Sequence, residues 1–211
     1  MALEEYEIKQ NEDEFCEILW EISREGCDIE GLIAWLDDSG FFKAPASTKY
    51  HCSFPGGLCL HSLNVYHALC NLAERFTSEG KYNKDSLIIV GLLHDLSKAN
   101  LYEESVKNEK VYSKYGKKYD ELGNFDWVST KSYKVKEAKD RTLLGTKGNI
   151  THTIVSQFLP LTTEEMMTLI YQYSAVDREP LNDLSEILAK YNLSVLLHSA
   201  DIIATYCIEH D

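Results

Sequence analysis

The sequence predicts an all-α fold: a helical bundle with a short helical lead-in and a small β-hairpin excursion. Three observations carry this. Apolar residues recur at helical spacing through most of the chain. Helix-start and helix-stop residues bracket those stretches. One region alone, residues 107–140, abandons the pattern for Lys and Tyr punctuated by Gly116 and Gly123. The organisation expected is an acidic helical segment, 1–40, packed on a main domain, 41–211.

Residues 12–24 place Phe15, Ile18, Leu19 and Ile22 on one face with acids between them, as an amphipathic helix requires. Residues 28–38 read as a second short helix, with Asp28 placed to cap it and Ser39-Gly40 to stop it. Residues 41–57 hold two prolines and end in Gly56-Gly57, which marks a loop. A long helix follows from about 57 to 76, with Leu58, Leu69, Ala73 and Phe76 in its buried stripe and His61 one turn in. The next helix starts near Asp85, read as its N-cap, and is apolar nearly all round, so it belongs at the centre. It ends in His94-Asp95. Residues 107–140 read as an irregular hairpin; their basic and aromatic residues suit either a solvated hairpin or a cap that reads a base over the neighbouring site. Thr162 and Glu165 form a capping box opening a helix through about Ala175. Residues 182–209 read as one broken helix or two, with the break near Asn192.

The bulk numbers exclude several classes. The chain has 211 residues, 44% hydrophobic and 26% charged, with a net charge of -13. Residues 1–40 carry 13 acids against Lys9 and Arg24, so the acidity belongs to the lead-in. Duplex nucleic acid is an unfavourable partner, because phosphate binding rests on dense positive charge. The longest apolar run, Leu87 to Leu93, falls far short of the ~20 residues that span a bilayer. The start lacks the basic and apolar regions of a secretory signal, so a cytoplasmic location and no membrane partner are expected. The six cysteines show no C-x-x-C spacing, which argues against a structural zinc site; Cys59 and Cys70 read as small core residues.

The chemistry lies in ionisable residues set among apolar helices. His61 sits in one helix, His94 and Asp95 at the end of a second, and Asp201 in a third. Imidazole and carboxylate together suit one divalent transition metal ion: Mn, Fe, Co, Ni or Zn, with Mg also admitted. Packed helices build such sites by converging their side chains. Four protein ligands leave an octahedral ion two positions for water and a phosphate oxygen.

Three pieces, GGLCLHSLNVY at 56–66, GLLHDLSK at 91–98 and LLHSAD at 196–201, resemble the HD-domain metal-dependent phosphohydrolase superfamily. The loop APASTKYH at 44–51 resembles a bacterial and phage branch of it. The resemblance covers roughly residues 41–206. It implies an HD-type helical bundle and an enzyme that hydrolyses a phosphate ester or anhydride, usually on a nucleotide. It places His61, His94, Asp95 and Asp201 as metal ligands and Lys98 as the motif lysine holding a phosphate oxygen. Asp95 would also orient the attacking water, so Asp95 and Lys98 are the catalytic candidates. His51 and Lys49, in the loop before the metal helix, join Lys98 as candidate substrate contacts. His51 could equally be a loop residue, and Lys98 a solvated helix terminus favoured by the dipole. His198 is expected to orient Asp201 rather than bind metal; His67 is read as structural and His210 as tail.

The chain departs from that branch where further histidines would support a second metal. Residues 145–149 read GTKGN and 170–177 read IYQYSAVD, with Gln172 at one such position; His152 is nearby but out of register, and Leu60 stands where an acid is frequent. One metal is therefore expected. The sequence leaves two functions open: a phosphohydrolase acting on a small phosphorylated substrate, a nucleotide above all, or a catalytically weakened metal- and nucleotide-binding regulatory module. A ribonuclease is disfavoured by the acidity. The oligomeric state is not indicated.

Overall fold

The computed structural model describes residues 3–172 and 181–209. Among them are eight α-helices and a three-stranded antiparallel sheet. The fold is therefore mixed α and β, which corrects the all-α expectation.

Helix α1 (Glu5–Trp20) begins earlier than the apolar spacing indicates, because a capping box between Glu4 and Glu7 starts it. It buries Phe15 and Leu19. Helix α2 (Ile29–Asp38) is capped by Asp28, whose side chain accepts from the Gly31 N–H. Gly40, at φ 74°, turns the chain out of it in the left-handed region open to glycine. Helix α3 (Gly57–Phe76) has the expected bounds, and Leu58, Leu69 and Ala73 are buried. Phe76 is the exception at 70% exposed; it is the final residue, past the last turn that packs.

Helix α4 (Lys84–Leu93) is central, with Ile88, Ile89, Val90, Leu92 and Leu93 fully buried. Its cap is Asn83, which accepts from the Ser86 N–H, not Asp85. Asp85 instead turns inward and accepts from the Ser23 N–H at 3.3 Å. Gly91 lets α3 and α4 close up: a Cβ there would stand 3.0 Å from the Tyr66 Cα. A 3₁₀ turn, Leu96–Lys98, follows directly.

The sheet fills the region read as an irregular hairpin, and it is longer and more regular than that. Strand β1 (Tyr102–Tyr112) pairs along its whole length with β3 (Gly123–Val135), from Tyr102 opposite Val135 to Tyr112 opposite Phe125. The short β2 (Lys118–Asp120) adds to β3. The period-2 register puts Tyr112, Phe125 and Trp127 on one face, where rings at 5.7 and 5.9 Å and the Lys110 ammonium 4.4 Å from Phe125 form a small cluster. Cross-strand aromatic pairs of this kind hold a ribbon that has little core beneath it. Acids within the sheet already partner Lys107, Lys110 and Lys134.

Helix α5 (Lys147–Val155) is capped by Thr146, and α6 (Thr163–Tyr171) carries the expected Thr162/Glu165 capping box. The expected extension of α6 to Ala175 falls outside the described residues, as does His210. Helices α7 (Leu181–Lys190) and α8 (Asn192–Ile203) divide at Tyr191, near the expected break, and a π-helical turn, Ala204–Ile208, ends the described chain.

One hydrophobic core joins the lead-in to the main body: Phe15, Leu19, Leu32 and Leu36 pack with Leu58, Leu69, Leu93, Val155 and Leu197. A buried ion pair adds to it. Glu165, fully buried, takes both guanidinium arms of Arg24 at 2.6 and 2.7 Å, the Ser86 hydroxyl at 2.6 Å and the Thr162 N–H at 2.8 Å. The six cysteines are all free thiols; Cys52 and Cys59 are buried, and Cys70 is half-buried rather than core. No helix among the described residues is long and apolar enough to cross a membrane.

Candidate metal centre

The site forms where α3 meets the end of α4. His61 sits in the second turn of α3 and is fully buried; His94 caps the C-terminus of α4 and Asp95 follows it, both almost fully buried. The His61 and His94 Nε2 atoms are 3.4 Å apart, and Asp95 Oδ2 is 3.6 Å from each. Asp201, from α8, brings Oδ1 to 3.3 Å from His61 Nε2. Its side chain is 39% exposed, so the cluster opens to solvent on that side. The helix packing of α3 against α4 thus brings His61, His94 and Asp95 into one group, and α8 sets Asp201 beside His61.

The backbone and outer side chains fix how the imidazoles face. His94 Nδ1–H donates to the Gly91 carbonyl at 2.8 Å, a bond available because the last helical carbonyls lack intrahelical partners. His61 Nδ1–H donates to Glu209 at 3.0 Å, and Asn64 donates to the same carboxylate at 3.0 Å. Both histidines therefore present Nε2 to the cluster. A ligand histidine whose other nitrogen is held by a carboxylate or carbonyl is the usual second layer of a metal site. Glu209 and Asn64 were not identified from sequence. Asn64 is three residues beyond His61 on one helix face, which is a usable signal; Glu209 has none, because the chain path past Asp201 decides it.

The donor set fits a cation. Ring nitrogens and carboxylate oxygens with inward lone pairs repel one another unless a proton or metal lies among them. Neither oxygen of buried Asp95 meets hydrogen-bond geometry, although the Lys98 ammonium lies 2.5 Å from Oδ2 as an ion pair. The ligand atoms of His61, His94 and Asp95 all lie within 4.8 Å of one another, so this buried group could hold a metal ion. Among these neighbours the His61 imidazole is held above its ordinary pKa. Burial lowers its pKa, but bonds to Asp201 and Glu209 outweigh burial and raise it to about 9. Burial, with the charge of His61 beside it, outweighs Asp95 at His94 and lowers its pKa. Burial raises Asp95, yet Lys98 and the two histidines bring it below the usual carboxylate range. Asp201 is likewise held down, its burial outweighed by His61.

The remaining candidates divide. Lys98 is buried and paired with Asp95, not a solvated terminus. Its burial lowers the ammonium pKa, but Asp95 raises it further. His51 stacks near His61 with ring centroids 4.7 Å apart, and its buried Nε2 has no partner. Burial and the charges of His61 and Lys98 push its pKa down to about 4, leaving it neutral. His51, His61 and Glu209 form a second, overlapping group with metal-ligand spacing. Lys49 is exposed, with its ammonium 5.6 Å from the centroid of the Tyr50 ring, and makes no hydrogen bond or ion pair with the cluster among the described residues. His198 makes no hydrogen bond to Asp201 among the described residues; Thr205 bonds that carboxylate instead, at 3.4 Å. His67 pairs with Glu14 at 2.9 Å on the surface, as a structural residue would.

The positions read as lacking second-metal histidines have other tasks. Gln172 donates through Nε2 to the His94 carbonyl, as Thr151 does at 3.1 Å, and Thr146 caps α5. Comparison with known proteins adds no assignment: no family model, no curated protein and no solved structure matches this chain.

Proposed function

We propose that the protein is a metal-dependent phosphohydrolase that cleaves a phosphate ester or anhydride, with a nucleotide as the substrate class. The observation that carries the reading is the buried His61, His94 and Asp95 group, whose ligand atoms lie within 4.8 Å of one another with Asp95 paired to Lys98. The resemblance of residues 56–66, 91–98 and 196–201 to HD-domain phosphohydrolases supports it.

In this reading His61, His94, Asp95 and Asp201 hold one divalent ion. Such an ion supplies Lewis acidity toward phosphate and water. With neutral imidazoles it balances Asp95, Asp201 and Glu209 together with Lys98, so the buried charges are compensated. Asp95 keeps one oxygen to orient a water. Lys98 holds positive charge beside Asp95, where negative charge develops on a phosphoryl group. The open side at Asp201 admits substrate. His51, neutral and unpaired at Nε2, donates to or accepts from a substrate oxygen.

One observation favours a second reading, a metal- and nucleotide-binding regulatory module with little turnover. Lys98 is engaged with Asp95 rather than free for a phosphate oxygen. A hydrolysis screen decides between the two. Mono-, di-, tri- and cyclic nucleotides are offered with Mn²⁺, Co²⁺, Ni²⁺ or Mg²⁺, with Asp95→Ala beside the wild type. Metal-dependent phosphate release by the wild type alone is expected. Binding without release by the wild type selects the regulatory module, and release by Asp95→Ala contradicts both assignments of the site.

A further inference from the structure

A sizeable cleft lies away from the metal centre. It has a volume of about 710 Å³ and lies between the end of α2, the Leu96–Lys98 turn, the base of the sheet and α5. None of His61, His94, Asp95 or Asp201 lines it. Clefts of roughly 300–1,000 Å³ with apolar walls and few polar groups are the usual form of a small-molecule site.

We propose that this cleft is a second ligand site, separate from the metal centre, that takes a small organic anion with a flat apolar body and a single anionic head. Trp35, Leu143 and Ile150 supply apolar wall. Arg141 supplies the anion contact. Its Nε–H donates to the Lys136 carbonyl at 2.8 Å, which anchors the guanidinium. Its two terminal nitrogens have no partner among the described residues. An anchored guanidinium with an unused pair of donors suits a carboxylate or phosphate oxygen pair. The Ser97 hydroxyl, buried and unpartnered, offers a further hydrogen bond in the same cleft. Asp38 and Lys147 also line it, one acid against one cation, so Arg141 is the excess charge and a polyanion such as a triphosphate is disfavoured.

The two sites share one turn of chain. Leu96, Ser97 and Ala99 line the cleft, while Lys98 between them reaches Asp95. The Ser97 N–H donates to Thr151 Oγ1, and that hydroxyl donates to the His94 carbonyl. A ligand seated on Ser97 therefore rests on the segment that presents His94, Asp95 and Lys98.

The test is calorimetric titration of the full chain in excess chelator, which keeps the metal centre out of the readout. The probes are 1-naphthoate, 1-naphthyl phosphate, the neutral 1-naphthalenemethanol and inorganic phosphate. The variants are Arg141→Gln and Leu143→Asp; Leu143 is 38% exposed, so its change should leave the melting temperature in place. One naphthyl anion per chain is expected to bind, with the tighter of the two naming the head group. The neutral probe, and both variants with either anion, should bind at least about tenfold more weakly, as loss of a charge-assisted hydrogen bond implies. Inorganic phosphate should not bind measurably. Equal affinity for the neutral probe, unchanged binding in both variants, or no binding of either anion at millimolar concentration would overturn the proposal.

Discussion

Removing the Arg24 side chain tests how the acidic lead-in is fastened to the main body. Arg24 sits between α1 and α2, and its guanidinium meets Glu165 at the start of α6 through two hydrogen bonds. The Arg24 side chain is 17% exposed and that of Glu165 1%. Arg24→Ala leaves a buried carboxylate holding only the Ser86 hydroxyl and Thr162 N–H. Breaking such a pair costs about 3–5 kcal/mol, and the partial exposure of Arg24 places the expected loss near the lower end, about 3 kcal/mol. For a chain of this size that lowers the melting temperature by about 6–12 °C. The pH dependence gives the sign. Burial raises the Glu165 pKa, but Arg24, Ser86 and Thr162 outweigh it and hold it below the ordinary carboxylate range. Its contribution is therefore fully present above the unfolded pKa and lost as pH falls through the lower folded value. Urea unfolding of wild type and Arg24→Ala from pH 7 into acid is the assay. A gap under about 1 kcal/mol at pH 7, or one that stays constant into acid, refutes the assignment.

Three further outcomes follow from other parts of the fold. Gly148→Ala puts a Cβ 1.9 Å from the Ile170 carbonyl oxygen, a backbone atom that cannot step aside; a loss of about 2 kcal/mol or more is expected in urea unfolding. Replacing residues 105–132 with an Asn-Gly turn should change unfolding free energy by less than about 1 kcal/mol, because the ribbon adds no residue to the hydrophobic core and carries its own aromatic cluster. Glu209→Gln should weaken Mn²⁺ binding by about 10–100-fold in equilibrium dialysis, with helical content unchanged, because the carboxylate behind His61 sets that ligand's orientation and basicity.

The helical part of the fold was legible because local signals agreed with burial. Asp28, Thr162 and Gly40 sit where capping chemistry requires them, and α3 has the bounds its apolar stripe indicates. The failures have local causes. Asp85 has the side chain of a cap but the helix is capped two residues earlier, at Asn83, and Asp85 binds Ser23 instead. The sheet was read as a minor irregularity because its strands are exposed on both faces and lack the apolar alternation that marks a half-buried strand. Helix α5 carries little apolar periodicity and is held by its Thr146 cap and packing on α6. At the site, the four ligand candidates were readable from His and Asp among apolar helices. Glu209 and the Arg141 guanidinium in the cleft were not, because each acts across a distance that only the folded chain sets.

Anomalous X-ray diffraction from crystals of the wild-type chain soaked in Mn²⁺ tests the central claim most directly. The account predicts one strong peak bonded to His61 Nε2, His94 Nε2, Asp95 and Asp201. No peak, or a peak held instead by His51 and Glu209, would contradict it.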